Sequence, residues 1–435
     1  MATLTPVRRR IHPAWWVAAV AFVALLGAAG FRAAPGVLMV PLQDEFGWSR
    51  GTLSLAVGVN LVLFGLTAPF AAALMDRFGL RRVTAVALTL VALGSGLTVF
   101  VQQSWQLVLL WGVLVGLGTG SMALVFAATV AQRWFVARRG LVMGILTAGS
   151  ATGQLIFLPV VAAAAEVAGW RTASLVIAGA ALAVVPLVLL VLRDHPSDLG
   201  VTAYGAEQPE PRPHEDVAHE PDQIPATVQH GAGRAAVEAL REASHSRTFW
   251  ALMAGFAICG ATTNGLIGTH FVPAAHDHGM QQTTAAGLLA VVGIFDIVGT
   301  VASGWLTDRF DPRLLLGGYY FFRGVGLALL PVLLGDAVHP SMVAFVVIYG
   351  LDWVATVPPT VALCRNVFGA SGTIVFGWVF ASHQVGAALA SVAAGVVRDE
   401  TGTYTAAWFS AAALCVVAAA LSLGIRRDAR HPVRA

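Results

Sequence analysis

The chain has 435 residues, of which 57% are hydrophobic and only 11% charged, and its formal net charge is +3. A mean hydropathy of +0.75 excludes a soluble globular protein and indicates a protein that crosses a membrane many times. The 26 basic residues are all arginine, and the three cysteines lie on different segments, so neither a disulfide framework nor a metal-thiolate site is expected.

Twelve apolar segments, each close to the length of about 20 residues that a membrane-spanning helix needs, follow one another along the chain. The first follows Arg8-Arg9-Arg10 and exceeds the length of a signal-peptide core, so we expect it to be retained. Six segments precede a polar stretch and six follow it, which predicts an all-α membrane protein with 12 transmembrane helices in two six-helix, pseudo-symmetric halves. The segments are 14–40, 52–75, 83–101, 105–131, 140–165, 171–192, 249–272, 284–306, 314–335, 340–363, 373–397 and 403–425.

Residues 193–248 form the polar stretch between the halves. They combine six prolines with acidic residues and histidines, a composition that cannot bury enough apolar surface to fold alone. We predict a largely disordered cytoplasmic linker that ends in a short surface helix around AAVEALREA. The resulting division is an N-terminal half at 1–192, the linker at 193–248 and a C-terminal half at 249–435.

The arginines are divided unevenly between the two ends of the predicted bundle. If the N-terminus is cytoplasmic, the tails, the linker and the loops on that side hold 21 arginines, whereas the opposite side holds Arg50, Arg171 and Arg398. Basic residues concentrate in cytoplasmic loops. The sequence therefore predicts that both termini and the linker are cytoplasmic, in a multi-pass protein of the bacterial inner membrane.

A loop motif occurs at matching places in the two halves. AALMDRFGLRR spans residues 72–82 after the second segment, and GWLTDRFDPR spans residues 304–313 after the eighth. An aspartate at a helix end accepts hydrogen bonds from the N-terminus of a neighbouring helix and from arginine, which would latch two helix ends together in one state and release them in another. The alternative is that these charges only fix the topology.

Both loops resemble the signature G-x-x-x-D-R-x-G-R-R of the major facilitator superfamily. Ala72 replaces the leading glycine of the first copy, and Asp311-Pro312 replaces the turn glycine of the second. The resemblance covers essentially the whole chain and implies the two-half transporter fold of that family. The predicted gating residues are Asp76, Arg77, Gly79, Arg81, Arg82, Gly304, Asp308 and Arg309.

Four ionisable residues of the second half lie at a similar depth in their predicted helices. At about 1.5 Å per residue, Asp296, Arg323, Asp352 and His383 all fall about 15 to 18 Å from a helix end. Ionisable residues at this depth are costly and are functional by default. We predict a proton-coupling or charge network in which Arg323 pairs with Asp296 or Asp352, and His383 carries or passes a proton.

The first half has a single charge inside a predicted helix, Arg32, which is followed by Pro35-Gly36. An arginine at the centre of a membrane helix costs about 2.5 to 3.5 kcal/mol on insertion scales and needs a partner. Arg32 is a candidate to bind an anionic substrate, and a structural pairing is the alternative. The family resemblance implies that the first, fourth, seventh and tenth helices line a central cavity. The predicted substrate-binding residues are Arg32, Asn264, Asp352, His383 and Gln384.

The stretches FRAAPGVLMVPLQDEFGWSR and GIFDIVGTVASGWLTDR look like helices one and eight of the branch that contains monocarboxylate porters and oxalate/formate antiporters. That branch binds a carboxylate together with a proton, using a cation in helix one and an aspartate followed four residues later by arginine in helix eight. Arg32 lies near the expected cation and Asp296 matches the acid. Thr300 occupies the place of the arginine, and the chain has no lysine for the second cation of oxalate antiporters.

The sequence thus favours a monomeric secondary transporter that carries a small organic acid, coupled to protons, by rocking of its two halves in the lipid bilayer. A proton-driven exporter of a larger amphipathic compound or drug is the alternative. No nucleophile and base constellation, nucleotide motif or metal-ligand set occurs in the sequence. We therefore expect neither an enzyme nor a nucleic-acid-binding protein, and neither a cofactor nor a metal.

Overall fold

The computed structural model describes residues 11–122, 124–206 and 232–425, and this part of the chain contains helices and no strand longer than an isolated bridge between Phe135 and Tyr204. Within it, eleven helices are long and apolar enough to cross a membrane. Together with a shorter helix, α6, they are α1 Pro13–Phe46, α2 Arg50–Phe78, α3 Leu80–Leu97, α4 Ser104–Trp134, α5 Arg139–Val191, α6 Ala232–Ala243, α7 Arg247–Asp277, α8 Gln282–Thr307, α9 Pro312–Leu333, α10 Pro340–Phe368, α11 Gly372–Thr401 and α12 Thr405–Leu423.

Helix boundaries coincide with residues that favour starting or ending a helix. The side chains of His12, Ser49 and Asp311 accept hydrogen bonds from the first turns of α1, α2 and α9. These bonds satisfy N–H groups that have no partner within a helix. At the other end of α1, Gly47 has a φ of 67°, a left-handed conformation that glycine adopts at little cost.

The helix α5 contains a reversal of chain direction. Gly169 has φ 81° and ψ 162°, outside the helical region. The next residues lie at the far end of α1, where Arg171 bonds Glu45, whereas Asp194, just after α5, bonds the backbone of Arg81 at the start of α3. As one continuous helix, its 53 residues would extend about 80 Å, more than twice the thickness of a bilayer core. The helix α5 therefore consists of two antiparallel stretches that meet at Gly169.

The helix boundaries repeat along the chain at an offset of 232 residues. The helices α2 and α8 begin at Arg50 and Gln282, and α5 and α12 end at Val191 and Leu423. We call two residues at this offset equivalent, and we call residues 11–206 the first half and 247–425 the second half. The repeat of the helices matches the repeat of the loop motif in the sequence.

We call the end of the bundle that holds His12 and Ile425 the terminal face, and the opposite end, with Gly47, the distal face. The halves meet where α2 packs on α11 and where α5 packs on α8. Gly58 of α2 lies against Val392, and Gly65 lies against Gln384, because a glycine lets two helices approach closely. Gly58 lies in the distal part of α2, and Gly65 lies near its middle.

Parts of the predicted linker contact the helices. Tyr204 exchanges backbone hydrogen bonds with Trp134 and Val136 of the first half. The helix predicted around AAVEALREA is present as α6, and it packs against both α2 and α11. Its Ala236 carbonyl accepts a hydrogen bond of 2.8 Å from Trp378 Nε1 in α11. Residues 207–231 lie outside the described residues, and the predicted extent of disorder stays a prediction.

Candidate substrate and coupling site

A buried ion pair lies at the centre of the second half. Arg323 of α9 donates from Nε to Asp352 Oδ2 of α10 at 2.6 Å, and its side chain has no exposed surface. Of the two partners that the sequence left open for Arg323, the structure brings it together with Asp352. The carboxylate of Asp352 keeps its second oxygen, Oδ1, buried without a hydrogen-bond partner.

The helix α10 is interrupted directly after Asp352, where residues 353–356 form turns rather than helix. Pro358 and Pro359 explain the break, because a proline has no N–H to donate to the carbonyl four residues earlier. Other donors replace those bonds, and the Val354 carbonyl accepts from the backbone N–H of Val357 at 2.9 Å. Ser303 of α8 donates to the Ala355 carbonyl at 2.5 Å, which is the carbonyl that Pro359 cannot reach. Broken helices in membranes are stable only with such substitutes.

Arg323 and Asp296 hold this broken turn from opposite sides. Besides its ion pair, Arg323 Nη2 donates to the carbonyl of Asp352 at 2.6 Å. Asp296 Oδ1 accepts from the backbone N–H of Val354 at 3.0 Å and from Thr300 at 3.1 Å. The two predicted network members are thus joined through the backbone of α10.

Asp296 also lines a small pocket between the two halves. The pocket has a volume of about 20 Å³, room for a single water molecule, and its walls come from α5, α8 and α10. Leu155 contributes the wall from the first half, and Trp353 contributes the wall from the broken turn. A carboxylate in the interface between the halves interacts with the charge of any ligand bound there. Its contacts also change when one half moves against the other.

His383 lies in a separate environment on α11. Its ring is stacked on Phe380, with centroids 5.9 Å apart, and it contacts Phe256 at 5.0 Å. Its Nε2 is 3.5 Å from Thr263 Oγ1, and its Nδ1 is buried without a partner. The next residue, Gln384, packs on Gly65 of the first half, and its Oε1 is also unpartnered. Both side chains have a free polar atom.

A widened turn in α7 connects His383 with the ion pair. Residues Ala261–Ile267 form a π-helical stretch, a feature that is frequent at functional sites. Thr262 lies 3.5 Å from Arg323 Nη1, while Thr263 faces His383. Asn264 follows in the same stretch and is half-buried.

Arg32 lies within α1, which continues as helix through Pro35 and Gly36, and its side chain lies outside the described residues. Its equivalent position in the second half is Asn264. The two residues that were predicted to bind substrate from the first and seventh segments are therefore related by the internal repeat. The amide of Asn264 corresponds to the guanidinium of Arg32.

The two copies of the loop motif have different surroundings on the terminal face. Asp76 forms an ion pair with Arg133, which lies in the last turn of α4 in the same half. Asp194 accepts a hydrogen bond of 2.8 Å from the backbone of Arg81, next to Gly79. Arg133 is not among the gating residues predicted from the sequence. The available signal was the internal repeat. Arg133 and its equivalent Arg365 follow the loop aspartates Asp76 and Asp308 at the same spacing.

In the second copy, the side chain of the exposed Asp308 forms no ion pair or hydrogen bond with any other described residue. Arg309 stacks over Trp305 with its guanidinium carbon 4.0 Å from the ring centroid, and it donates to the Trp305 carbonyl. Arg313 is bound by Asp311, the residue that replaces the turn glycine. The side chains of Arg77 and Arg82 are not bound to the other half in the described residues.

A cluster on the distal face was missed at the level of the sequence. The buried Arg50 of the first half donates to both oxygens of Asp277 in the second half, at 2.6 and 2.7 Å, and to Tyr404 at 2.9 Å. Arg398 binds the same aspartate at 2.8 Å. Arg50 and Arg398 are two of the three arginines on the arginine-poor side, which was the available signal.

His270 extends this cluster into the interface. Its Nε2 donates to the Ser391 carbonyl at 2.8 Å, so its Nδ1 accepts the proton of the Tyr404 hydroxyl at 3.0 Å. Burial raises the pKa of Tyr404 to about 12, which keeps this hydroxyl protonated. The phenol therefore accepts from Arg50 and donates to His270, and the distal face joins the halves through a continuous set of hydrogen bonds.

Comparison with known proteins gives the same family that the loop motif suggested. The sequence pattern of the Major Facilitator Superfamily matches residues 20–375 and, in a second match, residues 276–435. An uncharacterized MFS-type transporter, YcxA of Bacillus subtilis, is 27% identical over 94% of this chain and 93% of its own length. Monocarboxylate transporter 11 of Homo sapiens is also 27% identical, over 95% of this chain and 83% of its own.

Two further similarities extend these findings. Monocarboxylate transporter 13 of Bos taurus is 29% identical over 92% of this chain and 86% of its own length. A solved bacterial homolog of the human lysosomal transporter Spinster, in an inward-facing and occupied conformation, has a TM-score of 0.68 and covers 97% of both chains. Its sequence identity is 16%, so this similarity concerns the fold alone.

Proposed function

Because the chain belongs to the major facilitator superfamily, it is a membrane transporter, and we propose that it carries a small organic acid together with a proton by alternating access. The observation that carries this proposal is the position of Asp296. Its carboxylate lies in the interface between the halves and also binds the broken turn of α10. Relatives named as monocarboxylate transporters support the substrate class.

The proposed topology has twelve crossings, with α5 crossing twice and Gly169 on the outer side. Both termini and the linker are cytoplasmic, in the bacterial inner membrane, and the protein works as a monomer. The division into 1–192, 193–248 and 249–435 is part of this proposal. The excess of 21 arginines over three supports the orientation, and the repeat of the helix boundaries supports the halves.

Coupling between substrate and proton follows from electrostatics in this proposal. Arg32 binds the carboxylate of the substrate from the first half. An ionised Asp296 in the same low-dielectric interface repels that carboxylate, so binding of the anion favours the protonated form of Asp296. The proton and the substrate then move together, because the neutral combination is cheaper to bury than either charge alone.

Protonation also acts on α10. A neutral carboxyl group is a weaker acceptor for the Val354 N–H than a carboxylate is, so loss of the charge on Asp296 loosens one of the bonds that replace the missing helical ones. The Arg323–Asp352 pair holds the other side of the same turn. In this proposal the broken turn is the element that converts proton binding into movement.

The polar atoms of Asn264, His383 and Gln384 complete the proposed binding region. His383 Nδ1 and Gln384 Oε1 are buried without partners, and Asn264 is half-buried in the widened turn of α7. Polar atoms left unpaired in a buried site are costly, and a ligand or water satisfies them. Thr300, in place of the arginine of the related branch, favours the alternative of an exporter for a larger amphipathic compound.

A direct test starts with purified protein and a panel of short-chain monocarboxylates, dicarboxylates and amphipathic drugs. Compounds that raise the melting temperature bind the folded state, and they are then tested for accumulation in proteoliposomes under an imposed pH gradient. Asp296→Asn should abolish gradient-driven accumulation but keep exchange of labelled substrate. The exposed Asp336→Asn is the matched control. Undiminished gradient-driven accumulation by Asp296→Asn would contradict the coupling role, and stabilisation only by drugs would favour the exporter.

A further inference from the structure

Two helices of the protein begin at the distal face with a carboxylate from the opposite half on their first N–H groups. Asp399, near the end of α11, accepts from the backbone of Arg50 at 2.9 Å and of Gly51 at 2.7 Å, at the start of α2. Glu166, just before the reversal in α5, accepts from the backbone of Thr283 at 2.9 Å, at the start of α8. Each half thus caps a helix of the other half.

The two caps are related by the internal repeat. Gly51 and Thr283 are equivalent residues, and Glu166 and Asp399 lie one residue from equivalence. Asp399 lies near the end of α11 and caps α2, the helix that packs on α11. Glu166 lies at the end of the first stretch of α5 and caps α8, the helix that packs on α5. Because two different sequences produce the same arrangement, it follows from the fold and is not an isolated surface contact.

The chemistry of these contacts suits a reversible closure. The first N–H groups of a helix have no partner within it and carry the positive end of the helix dipole, so they favour a carboxylate. Asp399 and Glu166 are exposed residues, so water replaces the lost bonds when the halves separate. At Gly51 an added Cβ would lie 3.1 Å from Asp399 Oδ2, so glycine leaves the room for this close approach.

One of the two caps is reinforced and the other is not. The backbone of Arg50 binds Asp399, and its buried side chain binds Asp277 and Tyr404. Glu166 makes one hydrogen bond across the interface, from Thr283. The closure between α2 and α11 is therefore expected to be the stronger of the two.

We propose that Asp399 and Glu166 are reciprocal latches, which close the distal face by capping α2 and α8 across the two halves and must release whenever the transporter opens on that side. On the terminal face, the described residues form no ion pair between the halves. The latches therefore favour the distal-closed conformation. This role does not depend on the identity of the substrate or on proton coupling.

The test measures the distance between spin labels on the distal face of the full-length protein in lipid nanodiscs, without substrate. Exposed Gln102 of the first half and Val338 of the second half are replaced by cysteine and labelled, whereas the three native cysteines are buried. Asp399→Ala should raise the ratio of distal-open to distal-closed molecules roughly fivefold, and Glu166→Ala roughly twofold. The matched controls are the exposed neighbours Glu400→Ala and Asp44→Ala.

Two further results decide the proposal. Asp399→Asn keeps the shape of the side chain but removes the charge, so it should shift the ratio in the same direction by a smaller factor, and it provides a variant if Asp399→Ala does not fold. The double variant should shift the ratio by the product of the single effects. Ratios in Asp399→Asn and Glu166→Ala that equal those of the controls would overturn the latch role, while leaving the proposed substrate and proton coupling untouched.

Discussion

The two halves share one arrangement of helices but place their charges differently. The residues of the second half that form the charged layer are Asp296, Arg323, Asp352 and His383, and their equivalents in the first half are Phe64, Val91, Gly120 and Ala151. In the first half, a Cβ on Gly120 would lie 3.0 Å from the backbone of Phe64, so the helices touch directly where the second half holds its two aspartates. The repeat therefore determines where helices lie but not what chemistry they carry.

The break in α10 shows the same difference. Pro359 and Ser303 of the second half correspond to Ala127 and Ala71 of the first half, so the first half has neither this proline nor this hydroxyl donor, although its α4 also departs from helical geometry at Met122. A helix that keeps its own N–H groups needs no substitute donors from its neighbours. The second half therefore differs in the prolines and charged partners of its broken turn, whereas the first half has no charged residues at the equivalent positions.

The largest expected effect concerns the buried ion pair. Arg323→Met or Asp352→Leu alone leaves one charge buried without its partner, which should lower the free energy of unfolding by about 3 to 5 kcal/mol. The double variant restores an apolar pair like Val91 and Gly120 of the first half, and it should recover most of the melting temperature while losing transport. If the double variant is no more stable than either single variant, the unpaired buried charge is not the cause of the lost stability.

A smaller effect is expected at the broken turn. Ser303→Ala leaves the Ala355 carbonyl without its donor, which should cost about 1 to 3 kcal/mol of stability. Adding Pro359→Ala supplies an N–H that can reach this carbonyl within the helix, and it should offset the loss. The melting temperatures of the single and double variants test this, with Thr307→Ala on the same helix as the control. No recovery in the double variant would contradict the assignment of the break to Pro359.

The smallest effect on stability is expected in the loop motifs, and it should differ between the two copies. The pair of Asp76 and Arg133 is partly exposed, so Asp76→Asn should cost about 0.2 to 1 kcal/mol. The equivalent Asp308→Asn should leave stability unchanged, because the Asp308 side chain forms no ion pair or hydrogen bond among the described residues. Denaturation curves of both variants would measure this. Equal losses would mean that the second copy forms a similar pair.

A substitution at Arg32 tests whether the two halves contribute differently to the proposed binding region. Arg32→Asn makes the first half resemble the second, where Asn264 is the equivalent residue. Loss of a charge-assisted hydrogen bond to the substrate should raise the half-saturating concentration roughly 10- to 100-fold. Uptake kinetics measure this, with exposed Arg247→Asn as the control. A half-saturating concentration equal to that of the control would indicate that Arg32 has a structural role.

Much of the fold was accessible from the sequence. Long apolar segments require helices because a bilayer offers no partner for free backbone groups, and the repeated aspartate-arginine loops indicated two halves and the family. The prediction of that family is confirmed. The distortion beside Asp352 is also accessible from the sequence through Pro358 and Pro359, since the lack of N–H groups is a local property of these residues.

Other features could not be read from the sequence. Whether Arg323 pairs with Asp296 or Asp352 depends on the rotation of α8, α9 and α10, and both aspartates have the same depth along their helices. Arg50 and Asp277 are 227 residues apart and meet only because α2 and α7 end on the same face. The carboxylates of Asp399 and Glu166 gave no signal, because acidic residues near helix ends are usually solvated.

The sequence by itself determined the membrane class, the helical segments, the internal repeat and the residues that are costly to bury. These follow from the composition, from the repeated loop motif and from the free-energy cost of burying a charge in an apolar medium. Tertiary structure alone decided which charges pair, that Asp296 lies between the halves, and that the distal ends of α2 and α8 are capped across the interface. These properties depend on the direction in which each side chain leaves its helix, and that direction is set by packing between segments far apart in the chain.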